Sequence, residues 1–247
     1  VSEAASLLSA GPGAKLKLEK KVFHSSDNGA VTISIAESLK PYAPQRGELH
    51  LIGSGPGEPS FLTQDARFAL SKCAVWLGYK RYLDLLDSLR NYSQVRVNGS
   101  LTNERERCKE ALDLAQQGTK VALISSGDSG IYGMAGLALE LWLDLPEQSR
   151  PSFEVHPGIS AFQMAAARVG APLMHDFCVI SLSDCLTSWN KIELRLEAAA
   201  KGDFVVAIYN PRSQDRNWQL EKAIEIFLKH RSPNTKVFLA RQLAREE

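Results

Sequence analysis

From Glu48 onward, short apolar runs alternate with longer amphipathic stretches. Leu49-His50-Leu51-Ile52, together with residues 73–77, 95–97, 120–124 and 153–156, have the length and apolar content of strands buried in a parallel sheet. Between them, Leu62, Ala66, Ala69 and Leu70 share one helical face, residues 79–90 are amphipathic, and residues 103–117 form a polar-faced helical stretch. That last stretch has a capping-box spacing from Asn103 to Glu106 and stops at Gly118. Gly78 reads as the end of its strand. Residues 134–145, closed by Pro146, and a helix running to Arg168 complete the set. Strands alternating with helices of about 10–15 residues predict right-handed βαβ units on a parallel sheet.

The pattern changes after Gly170-Ala171-Pro172, which reads as a hinge. Residues 177–182 are apolar, Ser183-Asp184 is a polar step, and residues 191–201 are helical up to Gly202. A buried strand at 204–209 ends at Asn210-Pro211, a long helix follows at 215–230, and residues 236–241 start another strand. The expected domains are residues 47–171 and 172–247, both α/β with mainly parallel sheets. A cleft between two such domains is where ligands usually sit. Residues 1–40 differ. A small-residue helix at 2–10 ends at Gly11-Pro12-Gly13, Lys15-Leu16-Lys17-Leu18 alternates, residues 25–29 turn, and residues 30–36 alternate again. This αββ fragment has no obvious core of its own, and residues 40–46, with Pro41 and Pro44, read as a linker.

Composition is that of an ordinary globular protein, 44% hydrophobic and 23% charged over 247 residues. The net charge of +1 gives no electrostatic case for nucleic acid or an anionic membrane as partner. No apolar run approaches the roughly 20 residues of a membrane span and no leader pattern is present, so a soluble cytoplasmic protein is expected. Cys73, Cys108, Cys178 and Cys185 make no CxxC pair, and the five histidines are scattered. Buried free thiols and no metal site are the expectation.

Candidate chemistry concentrates at Ser125-Ser126-Gly127-Asp128-Ser129-Gly130-Ile131-Tyr132-Gly133, where an apolar strand stops and a helix begins. Its glycines permit positive φ and leave backbone N–H groups uncovered for close approach to a polar or anionic ligand. The following helix directs its N-terminus at the same space. One reading makes Asp128 a cap on a helix from Ile131; the other makes it a group that positions a ligand or handles a proton, with Tyr132 lining the cleft. Gly53-Ser54-Gly55-Pro56-Gly57 ends the strand at Glu48. It is not a dinucleotide fingerprint, because Glu58 stands where the third glycine belongs and Pro56 lacks an N–H. Pro157-Gly158-Ile159-Ser160-Ala161 brings a third loop to the same end, and Asn210 before Pro211 is expected to be extended. His156 and His175 read as structural histidines.

Taken together, the GxGPG turn at 53–57, Gly-Asp-Ser-Gly-Ile-Tyr-Gly-Met at 127–134, Pro-Gly-Ile-Ser-Ala at 157–161 and Tyr-Asn-Pro at 209–211 resemble the tetrapyrrole methylase family. Within it, Ile180-Ser181-Leu182-Ser183-Asp184, Leu186-Thr187-Ser188-Trp189 and Tyr209-Asn210-Pro211-Arg212-Ser213 are similar to the branch that methylates precorrin-3B at C17, with Ser188 where that pattern has proline. The first 36 residues resemble the C-terminal end of the cobalt-precorrin-5A hydrolases, as if a preceding fused domain contributed them. The resemblance implies an S-adenosylmethionine-dependent methyltransferase, homodimeric, that methylates precorrin-3B or its cobalt-containing counterpart at C17 with ring contraction. It implies cofactor contacts at Pro56, Ser126, Gly127, Asp128, Ile131, Ser160, Ala161, Asn210 and Leu243. Asp128 and Tyr132 are the catalytic candidates, and Ser181, Asp184 and Thr187 the substrate-side ones. A sibling methylase acting at another carbon, or a nonenzymatic interaction module, are the alternatives. Family members run on by a further strand pair, so residues 172–247 are expected to lack strands and residues 237–239 to form an exposed sheet edge.

Overall fold

The structure, a computed structural model, describes residues 16–25, 29–36, 47–100, 103–213 and 217–244. The helix expected at 2–10, the centre of the turn at 26–28 and the linker at 40–46 lie outside the described residues. Strands β1 (Leu16–Ser25) and β2 (Gly29–Ala36) pair antiparallel in a two-stranded sheet of their own. By packing, the chain divides into two units, residues 1–161 with 244–247, and residues 162–243. The division falls ahead of Gly170-Ala171-Pro172.

The first unit is built on five parallel strands: β3 (Glu48–Gly53), β4 (Val75–Tyr79), β5 (Val95–Gly99), β6 (Lys120–Ser125) and β7 (Ser152–His156), in the order β5-β4-β6-β3-β7. Helices α1 (Gln64–Lys72), α2 (Lys80–Leu86), α3 (Glu104–Gln116) and α4 (Ala135–Leu143) connect them. Both faces of the central strands are covered, which is why they read as continuous apolar runs. On β3, Leu49 and Leu51 enter one core with Ala111, Leu112, Val121, Leu123 and Ala138, under α3 and α4. Ile52 enters the opposite core with Ala66, Leu70, Trp76, Leu83 and Ile124, under α1 and α2.

This order has a direct consequence for ligand binding. β3 sends its chain toward β4 on one side, while its neighbour β6 sends its chain toward β7 on the other. The C-terminal ends of β3 and β6 therefore form a topological switch point, where open α/β sheets leave a crevice.

Two local expectations are corrected. Gly78 sits inside β4, paired with Asn98 and Ile124, because its missing side chain lets the Ile124 backbone approach. Asn103 does stand at the start of α3, but its side chain makes no capping bond, so the capping box is not formed.

The second unit begins one residue into α5 (Ala161–Arg168), which is followed by β8 (Phe177–Ser181), α6 (Trp189–Lys201), β9 (Val205–Tyr209) and α7 (Gln219–Leu228). β8 and β9 pair in parallel around the α6 crossover, and Ile180, Leu182, Ile192, Leu196, Ala199, Ala223 and Ile226 form the core. The strand expected at 236–241 is not formed. Its apolar residues favour a strand, but no described strand pairs with it, and Val237 and Leu239 are each 89% exposed. Among the described residues no helix is long and apolar enough to cross a membrane.

Candidate functional site

Three loops leave the C-terminal ends of β3, β6 and β7: main-chain hydrogen bonds lock the first two together, and the third packs closely against them and is tied by side chains. Gly55 and Gly127 exchange both backbone hydrogen bonds, at 3.0 and 2.7 Å, and Ser54 N donates to Ser125 O at 2.9 Å. Their closeness depends on glycine. A Cβ on Gly158 would lie 2.2 Å from Gly127 O and 2.6 Å from Gly53 O, and one on Gly53 would lie 2.6 Å from Gly158 N. Gly127 differs from these two. Its φ of +67° is the left-handed conformation that glycine tolerates, and a Cβ there would meet Ser160 Cα at an ordinary 3.6 Å.

Asp128 joins two of the loops. Its Oδ1 accepts from Gly130 N at 2.8 Å, and its Oδ2 accepts from Gly158 N at 3.0 Å. The helix that follows starts at Ala135 rather than Ile131, and Asp128 does not cap it. The carboxylate is thus a cross-loop tie that also places negative charge at the switch point. Tyr132, half exposed, has φ +54°, a conformation costly for a residue with a side chain and one that clusters at functional sites. Ile131 is partly exposed beside it, while Pro56 and Ser160 are buried. Ser129 is fully buried, and its hydroxyl has no hydrogen-bond partner among the described residues.

In the second unit, Asn210 and Ser181 meet at the ends of β9 and β8, where Asn210 Nδ2 donates to Ser181 Oγ at 3.0 Å and Ser183 N does so at 3.2 Å. Asn210 is not extended as expected before proline. Its φ is +52°, and asparagine is one of the few residues that visits this region readily. Asp184 accepts from Gln219 Nε2 at 3.2 Å, at the start of α7, and Gln219 itself is buried. Thr187 and Leu243 are half-buried, Leu243 following Gln242 at φ +50°. The tie between Ser181 and Asn210 unites a substrate-side and a cofactor-side candidate, whereas Asp184 turns to α7.

Thr63 was missed. Its hydroxyl accepts from Ala66 N at 3.1 Å, capping α1, and donates to Pro157 O at 3.1 Å, so a helix cap also fixes the 157–161 loop. A threonine directly ahead of Gln64-Asp65 was the available signal.

Glycine loops meeting at a switch point place the chain in the open α/β class whose ligands lie beyond the strand ends. Residues 48–247 match the profile of the Tetrapyrrole (Corrin/Porphyrin) Methylases, and the chain belongs to this family. It is 46% identical over 203 residues to the cobalt-factor III methyltransferase of Priestia megaterium, covering 81% of this chain but 37% of that protein. It is 45% identical over 201 residues to the probable cobalt-factor III C(17)-methyltransferase of Salmonella typhimurium, covering 81% of each. The crystal structure of the methyltransferase CobJ superimposes with a TM-score of 0.72 at 36% identity, covering 76% of this chain and 77% of that one.

Proposed function

We propose that the chain catalyses S-adenosylmethionine-dependent methylation at C17 of a tetrapyrrole of the precorrin-3B class, with ring contraction. Both relatives above are named for cobalt-factor III, which favours the cobalt-containing substrate. The observation that carries the reading is the three-loop glycine corner at the switch point, in a chain of the methylase family. The corner fits a polar small molecule in two ways. Gly127 keeps a side chain out of the space toward Ser160 and Ala161, and the buried Ser129 hydroxyl retains hydrogen-bonding capacity.

When bound, S-adenosylmethionine supplies a sulfonium-activated methyl group. Pro56, Ser126, Gly127, Asp128, Ile131, Ser160 and Ala161 would hold it, and Asn210 and Leu243 are further candidate contacts. Methyl transfer to carbon needs little acid chemistry and much alignment, and positioning of this kind is worth several kcal/mol. Asp128 contributes by fixing the 158–161 loop, and its negative charge suits a cationic ligand. Tyr132, Ser181, Asp184 and Thr187 face the tetrapyrrole in this reading. The assembly is a cytoplasmic homodimer.

Calorimetry with S-adenosylhomocysteine tests the cofactor, and heat must be seen at millimolar ligand with folded protein. Incubation with a labelled methyl donor, followed by mass spectrometry and NMR of the product, tests the carbon. Label elsewhere on the macrocycle points to a sibling methylase, and absence of both binding and turnover to a nonenzymatic module. Sedimentation equilibrium tests the dimer.

A further inference from the structure

On the sheet face beneath α1, β3 and β7 bring two histidines together. His50 Nδ1 lies 3.0 Å from His156 Nε2, and the residues are 3% and 6% exposed. His50 stands opposite Glu154 in the β3–β7 register, so Glu154 reaches the same point. Its Oε2 is 3.6 Å from His50 Nδ1 and 3.7 Å from His156 Nε2. The outer ring nitrogens are each taken by a carboxylate: His50 Nε2 by Glu48 Oε2 at 3.0 Å, and His156 Nδ1 by Asp65 Oδ2 at 2.5 Å.

A carboxylate only accepts, so each outer nitrogen carries its ring's proton. Two bare imidazole lone pairs then face each other beside a carboxylate oxygen. Three electron-rich atoms at such spacing are satisfied by a positive charge among them, a shared proton or a metal ion. Points separated by 3.0, 3.6 and 3.7 Å lie on a circle of radius about 2.0 Å, within the zinc–nitrogen and zinc–oxygen bond range of about 2.0–2.2 Å. A carboxylate behind each imidazole is the arrangement that orients metal-bound histidines and raises their basicity.

We propose that His50, His156 and Glu154 bind a divalent transition-metal ion of the zinc class, with Glu48 and Asp65 as supporting carboxylates. Two imidazoles and one carboxylate favour zinc, cobalt(II) or nickel(II) over magnesium or calcium. The site escapes a search for ligand spacing because its members come from separate strands that only the sheet order makes neighbours. An ion here clamps the end of β7, directly ahead of Pro157, to β3.

The test uses the full chain, stripped with chelator, and zinc ion as probe. One equivalent is expected to bind with micromolar or tighter affinity, unaffected by excess magnesium. Cobalt(II) should give the intense visible bands of a four-coordinate site. A hundredfold excess of zinc over its dissociation constant should raise Tm by roughly 5–10 °C. Glu154→Gln, at a side chain 56% exposed and so tolerant of change, should abolish the visible bands, and Asp65→Asn should weaken zinc binding about 10–100-fold. Substoichiometric zinc on folded protein overturns the proposal, leaving the histidine pair to share a proton. Zinc binding that survives both substitutions and is lost on cysteine alkylation also overturns it.

Discussion

The ends of β3 and β6 in the first unit and the ends of β8 and β9 in the second are both loop corners beyond parallel strands, yet they are held by different bonds. In the first, main chain binds main chain between two loops and glycines fill one another's side-chain space, with Asp128 and Thr63 tying in the third loop. In the second, side chains supply most of the ties, as in the contacts of Asn210 with Ser181 and of Gln219 with Asp184, beside a main-chain bond from Leu182 N to Tyr209 O. Main-chain geometry survives most substitutions in its neighbourhood, whereas a rim of side chains is retuned by single changes. This suits the first corner to an unvarying ligand and leaves the second, where the cofactor candidate Asn210 meets the substrate candidate Ser181, open to retuning.

The comparison breaks most visibly at Gly158. Gly158→Ala places a methyl against two carbonyl oxygens that cannot move independently, and should cost about 3 kcal/mol or more, lowering Tm by roughly 6–12 °C. Asn210→Ala, at the rim, should shift Tm little. If thermal scans find the two equal, the corner is not glycine-locked.

Alkaline pH should weigh on both units and most on the first, since burial also raises the Cys178 thiol of the second. Burial pushes the Cys73 thiol up to about 12, with Glu48 and Glu154 adding to the effect, and pushes Cys108 up to about 11. A thiol raised in the folded state favours folding while it stays protonated. Its stabilisation is complete below the ordinary thiol value and is lost as pH climbs from 9 toward about 12 for Cys73 and about 11 for Cys108, at about 1.4 kcal/mol per pH unit for each within its own window. Urea midpoints of the first unit should therefore fall across that window. Iodoacetamide at pH 8 should label exposed Cys185 first and spare Cys73 and Cys108 until unfolding.

Gly127→Val should leave the fold within about 1–2 kcal/mol, the cost of forcing φ +67° on a β-branched residue, while calorimetry finds S-adenosylhomocysteine binding lost. Asp128→Asn keeps one acceptor where the carboxylate has two, and should weaken cofactor binding about tenfold, equivalent to 1.4 kcal/mol. Ser181→Ala should have the smallest effect. It removes an acceptor shared by Asn210 and Ser183, costing about 1 kcal/mol or less, and should raise KM for the tetrapyrrole more than it weakens cofactor binding.

The parallel strands of the first unit were legible because burial on both faces writes apolar runs such as Leu49-His50-Leu51-Ile52, and the glycine corners because few residues other than glycine close such turns. What the chain order hides is partnership. The bond from Gly158 to Asp128 spans 30 positions, so local reading offered Asp128 either a nearby helix or a ligand and did not find its tie to a second loop. Residues 236–241 show the same limit, since a strand exists only with a neighbour to pair with. Asn210 failed a rule about the following proline because the rule leaves out asparagine's tolerance of positive φ and the tie to Ser181.

Anyone diversifying this scaffold meets the glycine corner as a constraint on library design. Because a side chain at Gly53 or Gly158 collides with backbone of a different loop, randomising either position alone would fill a library with clones that fail to fold. Grafting the 53–57, 125–134 and 157–161 loops from another member as one cassette keeps the collisions resolved. Codon saturation is better spent on Ile131 and Tyr132, which are 36% and 54% exposed, and on Ser181 and Asn210.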